Sequence, residues 1–521
     1  MSGASYFPYR AADWANQDMG DWLPWLRSPD AEINQFRDRM VARQRDLARN
    51  DGWIAGAVTR ILDNTIGAGL RLNARPDYRA LALLSPGFDN VWADEFRHVV
   101  EARWRTYADS YGHFNDVERK LTVGQQMRVA LRHKLVDGES LVLAYWLPER
   151  RGVGRADYST AFLVVDPDRL SNPRQMVDSR YMRGGVEIDD HGVPVRYHVR
   201  KAHQNDWYNS IESMEWEPVE REDDDGWQRV FHGFEADRAG QNRGVSIFAP
   251  ILVHARMLSG YYRTEMQAAN VAASFGTYVT SPYDPGQVQE MLGGDDELSA
   301  YQQLRSGFHE ERPAMLNGVV IPSLAPGETI ESVASAHPHS GFADFAGEML
   351  AVGAAATGLS LEQYSQKWFR TNYSSARAAL LESWKTLVRR RQDFVIETAG
   401  PMYGTWLHEL FDRREVPLPN YAPSYLEART AYCRSLWLGP GRGWVDPVKE
   451  PQGSVLKMDA GLSTLQQEVA EIEGADWEER LDQREIEVAA FKARGLAVPS
   501  WAAMNVPAEQ VAEPEEKAQP Q

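Results

Sequence analysis

Cysteine is almost missing from this chain of 521 residues: Cys433 stands alone. That excludes an internal disulfide framework and leads us to expect a reducing compartment. Positive charge is also short, with 56 Lys and Arg against 74 Asp and Glu and a net charge of -18. Such a balance argues against a surface that grips nucleic acid tightly, but not against one past which nucleic acid slides. No window holds the roughly 18 uncharged apolar residues that a bilayer span requires. Residues 1–22 lack a basic segment followed by an apolar run, so no secretory signal is expected. Catalytic signatures are absent as well: there is no G-x-S-x-G, H-E-x-x-H, C-x-x-C, Walker loop or dinucleotide fingerprint. The GAG at 67–69 has no third glycine and no Gly-Lys-Ser/Thr after it, and reads as a helix stop with a left-handed glycine. Asp166-Pro167-Asp168 and Asp223–Asp225 read as turns and solvated loops rather than catalytic pairs. No metal is expected at His191, His198 and His203, because strand alternation splits them between faces. No cofactor is expected.

What is present is a soluble globular composition, 43% apolar and 25% charged, long enough for several substructures. The 17 tryptophans suit core filling or contacts between subunits. Residues 1–34 form an aromatic, aperiodic arm. Helical spacing then predicts helices over about 30–50, 53–66, 91–111 and 123–136. Asp137-Gly138-Glu139 turns the chain into a β region that includes SLVLAYWL, FLVVD, VEID and VPVRYHVRKA, with a hairpin at 189–192. A long helix over 249–274 carries Leu258, Tyr262 and Met266 on one stripe and small residues at its far end.

Residues 284–338 read as a small α/β insertion, with short strands at MLNGVVIPSL and ETIESVAS. A helix at 342–357, a polar loop at 360–372 and a long helix from 374 follow directly. The insertion is therefore bracketed by two helices. Gly400-Pro401 is expected to kink or end the long helix. Residues 424–437 read as another helix, 439–453 as loop, 453 to about 495 as helices, and 505–521 as a disordered tail. Of Arg389-Arg390-Arg391, some are expected to pair with Asp393, with Glu397 or with a neighbouring subunit. In the loop, Glu362, Gln363, Tyr364, Gln366, Lys367, Trp368, Phe369, Arg370 and Asn372 suit loose contact with a nucleic-acid backbone. An ordinary connector with Trp368 and Phe369 in the core fits those residues too.

The chain resembles the portal proteins of tailed bacteriophages, in their lambda-type branch. The resemblance covers roughly residues 35–495 and is carried by LARNDGWIAGAVTRILDNTIGAGL, LTVGQQMRVALRHKLVDGES, GGVEIDDHGVPVRYHV, GQNRGVSIFAPIL, APGETIE, TNYSSARAALLESW and GWVDPVKE. Its most specific piece is Asn372-Tyr373-Ser374-Ser375-Ala376-Arg377. It implies a mainly helical α+β fold with wing, two-helix stem, clip and crown, assembling as a ring of usually twelve subunits. On that pattern residues 35–248 form the wing, 249–275 and 341–358 the stem, and 276–340 the clip. Residues 359–373 form the tunnel loop, 374–420 the long wing helix region, and 421–500 the crown.

The resemblance implies a non-enzymatic conduit for double-stranded DNA at one capsid vertex, assembled in the host cytoplasm. Implied partners are the terminase large subunit, a head–tail adaptor, and the major capsid or scaffold protein, with no membrane. The channel residues carried over are Gln363, Gln366, Lys367, Arg370 and Asn372; Tyr373, Ser374, Ser375 and Arg377 are the family motif. The composition also admits an aromatic-rich glycan-binding protein or hydrolase, which needs paired carboxylates that do not stand out here. Another virion neck component is a third reading, though it has no need of the helix-bracketed insertion.

Overall fold

The computed structural model describes residues 10–12, 21–274, 277–280, 299–300, 302–304, 306–307, 314–316, 319–321, 329–332, 341–368, 372–444 and 446–497. The chain folds as two compact units, one of residues 1–42, 58–247 and 370–521, the other of residues 43–57 and 248–369.

In the larger unit, three antiparallel strands run in the order β3 (Thr160–Val165), β2 (Glu139–Trp146), β8 (Val230–Phe234). A second antiparallel sheet runs β4 (Met182–Arg183), β5 (Val186–Ile188), β6 (Pro194–Arg200), β7 (Trp216–Glu220). The expected hairpin at 189–192 joins β5 to β6, with a bulge at Glu187/Ile188. Leu141, Leu143 and Val230 of the first sheet bury against Val186, Tyr197, Val199 and Val219 of the second. Apolar residues alternate with polar ones along β6, so one face turns inward.

The aromatic residues fill a second core. Trp104 and Tyr107 on the helix Asn90–Ala108 meet Tyr403 and Trp406, with ring centroids 5.1 Å apart for Trp104 and Trp406. Phe88, Trp92, Phe96, Phe411 and Tyr432 continue it. Trp22, Trp25 and Trp207 stay exposed. Core filling thus accounts for part of the tryptophan content only.

Three expectations need correction. The helix predicted over residues 30–50 is broken: a short helix Pro29–Ile33 precedes Arg37–Asn50. The break lets Asp30 accept from the Asn242 amide and side chain, each at 2.9 Å, while Asn34 donates to Asp178 at 2.7 Å. Residues 424–437 are not one helix; only Arg429–Tyr432 is helical, and β13 (Ser435–Leu438) pairs antiparallel with β1 (Arg71–Ala74). Pairing across that sequence distance overrides the local spacing, and Tyr425 and Tyr432 are drawn into the aromatic core.

Of the two outcomes expected at Gly400-Pro401, a kink or an end, the helix does not end there. Tyr373–Phe394 passes through a π turn, Val395–Ala399, into Gly400–Asp412. Proline has no N–H to donate, and a locally widened turn, with the Gly400 amide bonded to the Val395 carbonyl, carries the helix past it. The π turn aims Glu397 at Lys134, and a Cβ on Gly233 would lie 2.7 Å from the Glu397 carboxylate. Lastly, the C-terminal helices start earlier than residue 453, at Lys449–Asp459, and continue as Leu465–Ile472 and Trp477–Ala493.

The tightest knot in this unit is polar. Glu139, wholly buried, receives Arg243 through Nε at 2.9 Å to Oε1 and Nη2 at 2.5 Å, Arg37 at 2.6 Å, His232 at 3.1 Å and the Gly244 amide at 2.9 Å. Arg243 also donates to the carbonyls of Leu170, Pro167 and Gly184. Burial opposes ionisation of Glu139, but Arg243, Arg37 and His232 outweigh it and hold the carboxyl well below its ordinary range. Gly244 and Gly138 let the two backbones touch: a Cβ on Gly244 would lie 2.1 Å from the Gly138 carbonyl oxygen. Three segments that carry the family resemblance, around Glu139, Gly184 and Arg243, therefore converge on one ion cluster.

In the smaller unit, a 3-10 turn Ala249–Ile251 opens the helix Leu252–Ser274, and Phe342–Thr357 packs antiparallel against it. Phe342 stacks on Tyr261 at 5.5 Å and meets Tyr262 edge-on at 5.1 Å. Among the described residues, the insertion between these helices contains two antiparallel pairs. β9 (Thr277–Thr280) pairs with β12 (Thr329–Ser332), and β10 (Ala314–Leu316) pairs with β11 (Val319–Ile321). MLNGVVIPSL thus contributes to two paired strands, β10 and β11. Pairing of the first with the last strand closes the insertion where it leaves and rejoins the helices.

Candidate nucleic-acid interface

The stretch 359–373 is shorter as a loop than its polarity suggests. Gly358, at φ 69°, ends the helix Phe342–Thr357 in the left-handed conformation that glycine adopts without strain. Ser360 then caps a new turn of helix, Leu361–Ser365. Its hydroxyl accepts from the Gln363 amide at 3.1 Å, and the Gln363 side chain accepts from the Ser360 amide at 3.1 Å. This reciprocal box was written in the sequence as S-x-x-Q. Gln366 turns left-handed at φ 56° and ends the piece. Beyond it, Asn372 caps the helix Tyr373–Phe394 by accepting from the Ser375 amide at 2.8 Å. Only residues 366–371 remain between the two helices, where a loop of about a dozen was expected.

One side chain pins this turn. Tyr364 is 5% exposed and sits in a cleft with Asp51, Trp53, Ile251, His254, Leu258, Leu350 and Gly353. Gly353 makes the room: a Cβ there would meet the Tyr364 ring at 2.6 Å. Burial, with the Asp51 carboxylate adding to it, pushes the Tyr364 phenol well above its ordinary range. Asp51 is itself held, accepting from the Trp53 and Ile54 amides at 3.0 Å each and from the Ser259 hydroxyl at 2.8 Å.

The expected channel residues consequently divide. Gln363 and Asn372 are occupied as helix caps. Gln366 is exposed, with its amide donating to the Gln363 carbonyl at 2.7 Å. Lys367 is half-buried, its backbone N–H 3.3 Å from the Ser365 hydroxyl. Arg370 lies outside the described residues. Trp368 is 41% exposed, so it is not tucked into the core; Phe369 is outside the described residues. Of the residues that fix the loop, Tyr364 was read from the sequence as suited to nucleic-acid contact rather than as an anchor, and Gly353 and Asp51 were not singled out for that role. Gly353 and Asp51 carry no local signal of their roles, since each acts on a residue distant in the chain.

In the larger unit two of the motif residues, Arg377 and Ser375, make structural contacts. Arg377 pairs at 3.4 Å with the buried Glu450, which also lies 3.7 Å from Arg442. The TNYSSARAALLESW and GWVDPVKE segments meet there. Ser374 is exposed, and the Ser375 amide is the one capped by Asn372; the Tyr373 side chain is outside the description. Arg389 pairs with Asp393 at 2.9 Å and Glu235 at 2.8 Å, whereas Glu397 pairs with Lys134 instead. Arg391 donates to the carbonyls of Asn64, Thr65 and Pro440 and lies over Trp384 at 5.4 Å. The three arginines do not form one phosphate grip.

The profile of the family described as "Phage portal protein, lambda family" matches residues 15–391. The "Portal protein" of Escherichia phage N15 is 33% identical over 489 residues, covering 92% of this chain and 90% of that protein. The "Portal protein B" of Escherichia phage lambda is 32% identical over 489 residues, covering 92% and 89%. Among solved structures, a chain of the "Neck of native GTA particle computed with C12 symmetry" aligns at 11% identity with a TM-score of 0.43, covering 84% of this chain and 98% of its own.

Proposed function

The chain belongs to the lambda family of phage portal proteins, and from that premise we propose that it forms the head–tail connector ring through which double-stranded DNA enters and leaves the capsid. The glycan-binding and neck-adaptor readings fall with that membership. In this proposal twelve copies close a ring at one capsid vertex of the virion, assembled in the host cytoplasm. The protein itself is not an enzyme. The driving energy comes from the terminase large subunit docked on the ring, and a head–tail adaptor and the capsid or scaffold protein are the other partners.

The helices Leu252–Ser274 and Phe342–Thr357 serve as the stem, the insertion 276–340 as the clip, and residues 421–500 as the crown. Residues 359–373 serve as the tunnel loop. The observation that carries this assignment is the double cap. Ser360 and Asn372 cap the helices on either side of the six residues 366–371, which include Lys367 and Arg370. A short connection with two cations can brush a phosphate backbone without closing on it. The net charge of -18 suits a conduit that releases what passes.

The test is the double variant Lys367→Ala/Arg370→Ala. We expect rings indistinguishable from the parent by electron microscopy and DNA packaging or retention that is measurably altered. Packaging and retention equal to the parent's would remove the loop from contact with DNA.

A further inference from the structure

The geometry points to a binding site for one divalent transition-metal ion at Asp166, Asp168 and His203 in the larger unit. Asp166 caps the 3-10 turn Pro167–Arg169 that follows β3, and its side chain accepts from the Asp168 amide at 3.4 Å. His203 lies just past β6. Its Nδ1 is 3.6 Å from Asp168 Oδ1 and 3.9 Å from Asp166 Oδ2. Two donors on one ion with bonds of about 2.1 Å lie roughly 3.4 Å apart in a tetrahedral arrangement, close to the 3.6 and 3.9 Å of the His203 contacts, and the two carboxylates lie within 4.8 Å of each other.

The donor set is mixed, and a second imidazole adjoins it. Asp166 also groups with His133 and Asp137, whose ligand atoms all lie within 4.8 Å of one another, as do those of the first trio. His133 and Asp137 are hydrogen-bonded at 2.6 Å, so they act as a preformed outer pair beside the ion. Imidazole with carboxylate selects zinc, cobalt or manganese over magnesium, which prefers oxygen ligands and its own water. Exposure of the His203 side chain, at 52%, provides the entry path.

What an ion would do follows from what His203 begins. Residues 203–215 run between β6 and β7 and carry Trp207, Tyr208 and Ile211 exposed, with Trp207 and Tyr208 rings 3.8 Å apart. An ion bridging His203 to the turn after β3 would fix the base of this loop and hold its apolar side chains in one place. Sequence spacing gave no hint of it, because the triplet His191, His198, His203 is not the ligand set: His198 pairs with Glu187 at 3.2 Å.

The test uses the full chain, stripped with chelator, titrated with Co2+ and Zn2+ and, separately, Mg2+. We expect one Co2+ per chain at micromolar concentration with the visible absorption of an imidazole-bound site, displaced by Zn2+, and no comparable Mg2+ binding. His203→Ala and Asp168→Asn should each weaken Co2+ binding at least about tenfold, while His191→Ala leaves it unchanged. Failure to bind Co2+ stoichiometrically overturns the site. So does binding that survives His203→Ala but is lost in His133→Ala.

Discussion

Replacing Glu139 with alanine is expected to cost the larger unit most or all of its stability. The carboxylate is the only anion paired with Arg243 among the described residues, and it is the close partner of Arg37, at 2.6 Å against 3.8 Å to the exposed Asp38; both guanidinium groups are 3% exposed. Removing one partner of a buried ion pair costs about 3–5 kcal/mol, because the cation left behind has neither water nor counter-charge. Here two cations are left. A whole domain is commonly stable by only about 5–15 kcal/mol.

The same knot predicts acid sensitivity. A carboxyl whose folded pKa lies below its unfolded value contributes stability that is fully present above the ordinary carboxylate range, and loses it as pH falls through the depressed value. Glu139→Gln keeps the shape, loses the charge, and should abolish that part of the acid transition. Thermal denaturation of parent and variants between pH 3 and 7 checks both statements. A Glu139→Ala midpoint within a degree or two of the parent's would contradict them.

The second large effect is expected at Tyr364. Tyr364→Ala empties the cleft against Gly353 and Leu350, and large-to-small changes of a buried aromatic cost about 3–5 kcal/mol. Since the side chain is the pin of the turn Leu361–Ser365, the chain that leads into Lys367 and Arg370 loses its anchor while both charges remain in place chemically. DNA packaging should therefore fall at least as far as in Lys367→Ala/Arg370→Ala. Gly353→Ala should reproduce the effect from the other side, as overpacking worth about 1–3 kcal/mol, because its Cβ meets the Tyr364 ring at 2.6 Å. Tyr364→Phe, which keeps the ring, should package normally. Normal packaging by Tyr364→Ala, in protein shown to be folded, would mean that the loop needs no anchor.

How much of this the chain announced depends on the range of the interaction. Phe342–Thr357 and Val123–Val136 have the residues and bounds expected from periodicity, because each buries one face and is ended by a local signal: Gly358 for the first, Thr122 with Gln125 for the second. The capping box at Ser360 and Gln363 was equally local, yet the polarity around it disguised a helical turn as loop. Strand β13 was misread as helix because its partner β1 lies far away in sequence and nothing in SLWL names it. Glu139 looked like part of a turn, and its role as the centre of an ion cluster depends on Arg37 and Arg243 arriving from two other segments.

At the candidate interface the position of the loop was legible from the helices around it. Which side chains are free was not. Gln363 and Asn372, chosen for their polarity, spend that polarity on helix ends.

The measurement that bears most directly on the central proposal is electron microscopy of the purified full chain at the concentration at which it assembles. The account predicts closed rings with a central hole, twelvefold in class averages, wide enough to admit a DNA duplex. A population that stays monomeric under those conditions would contradict it.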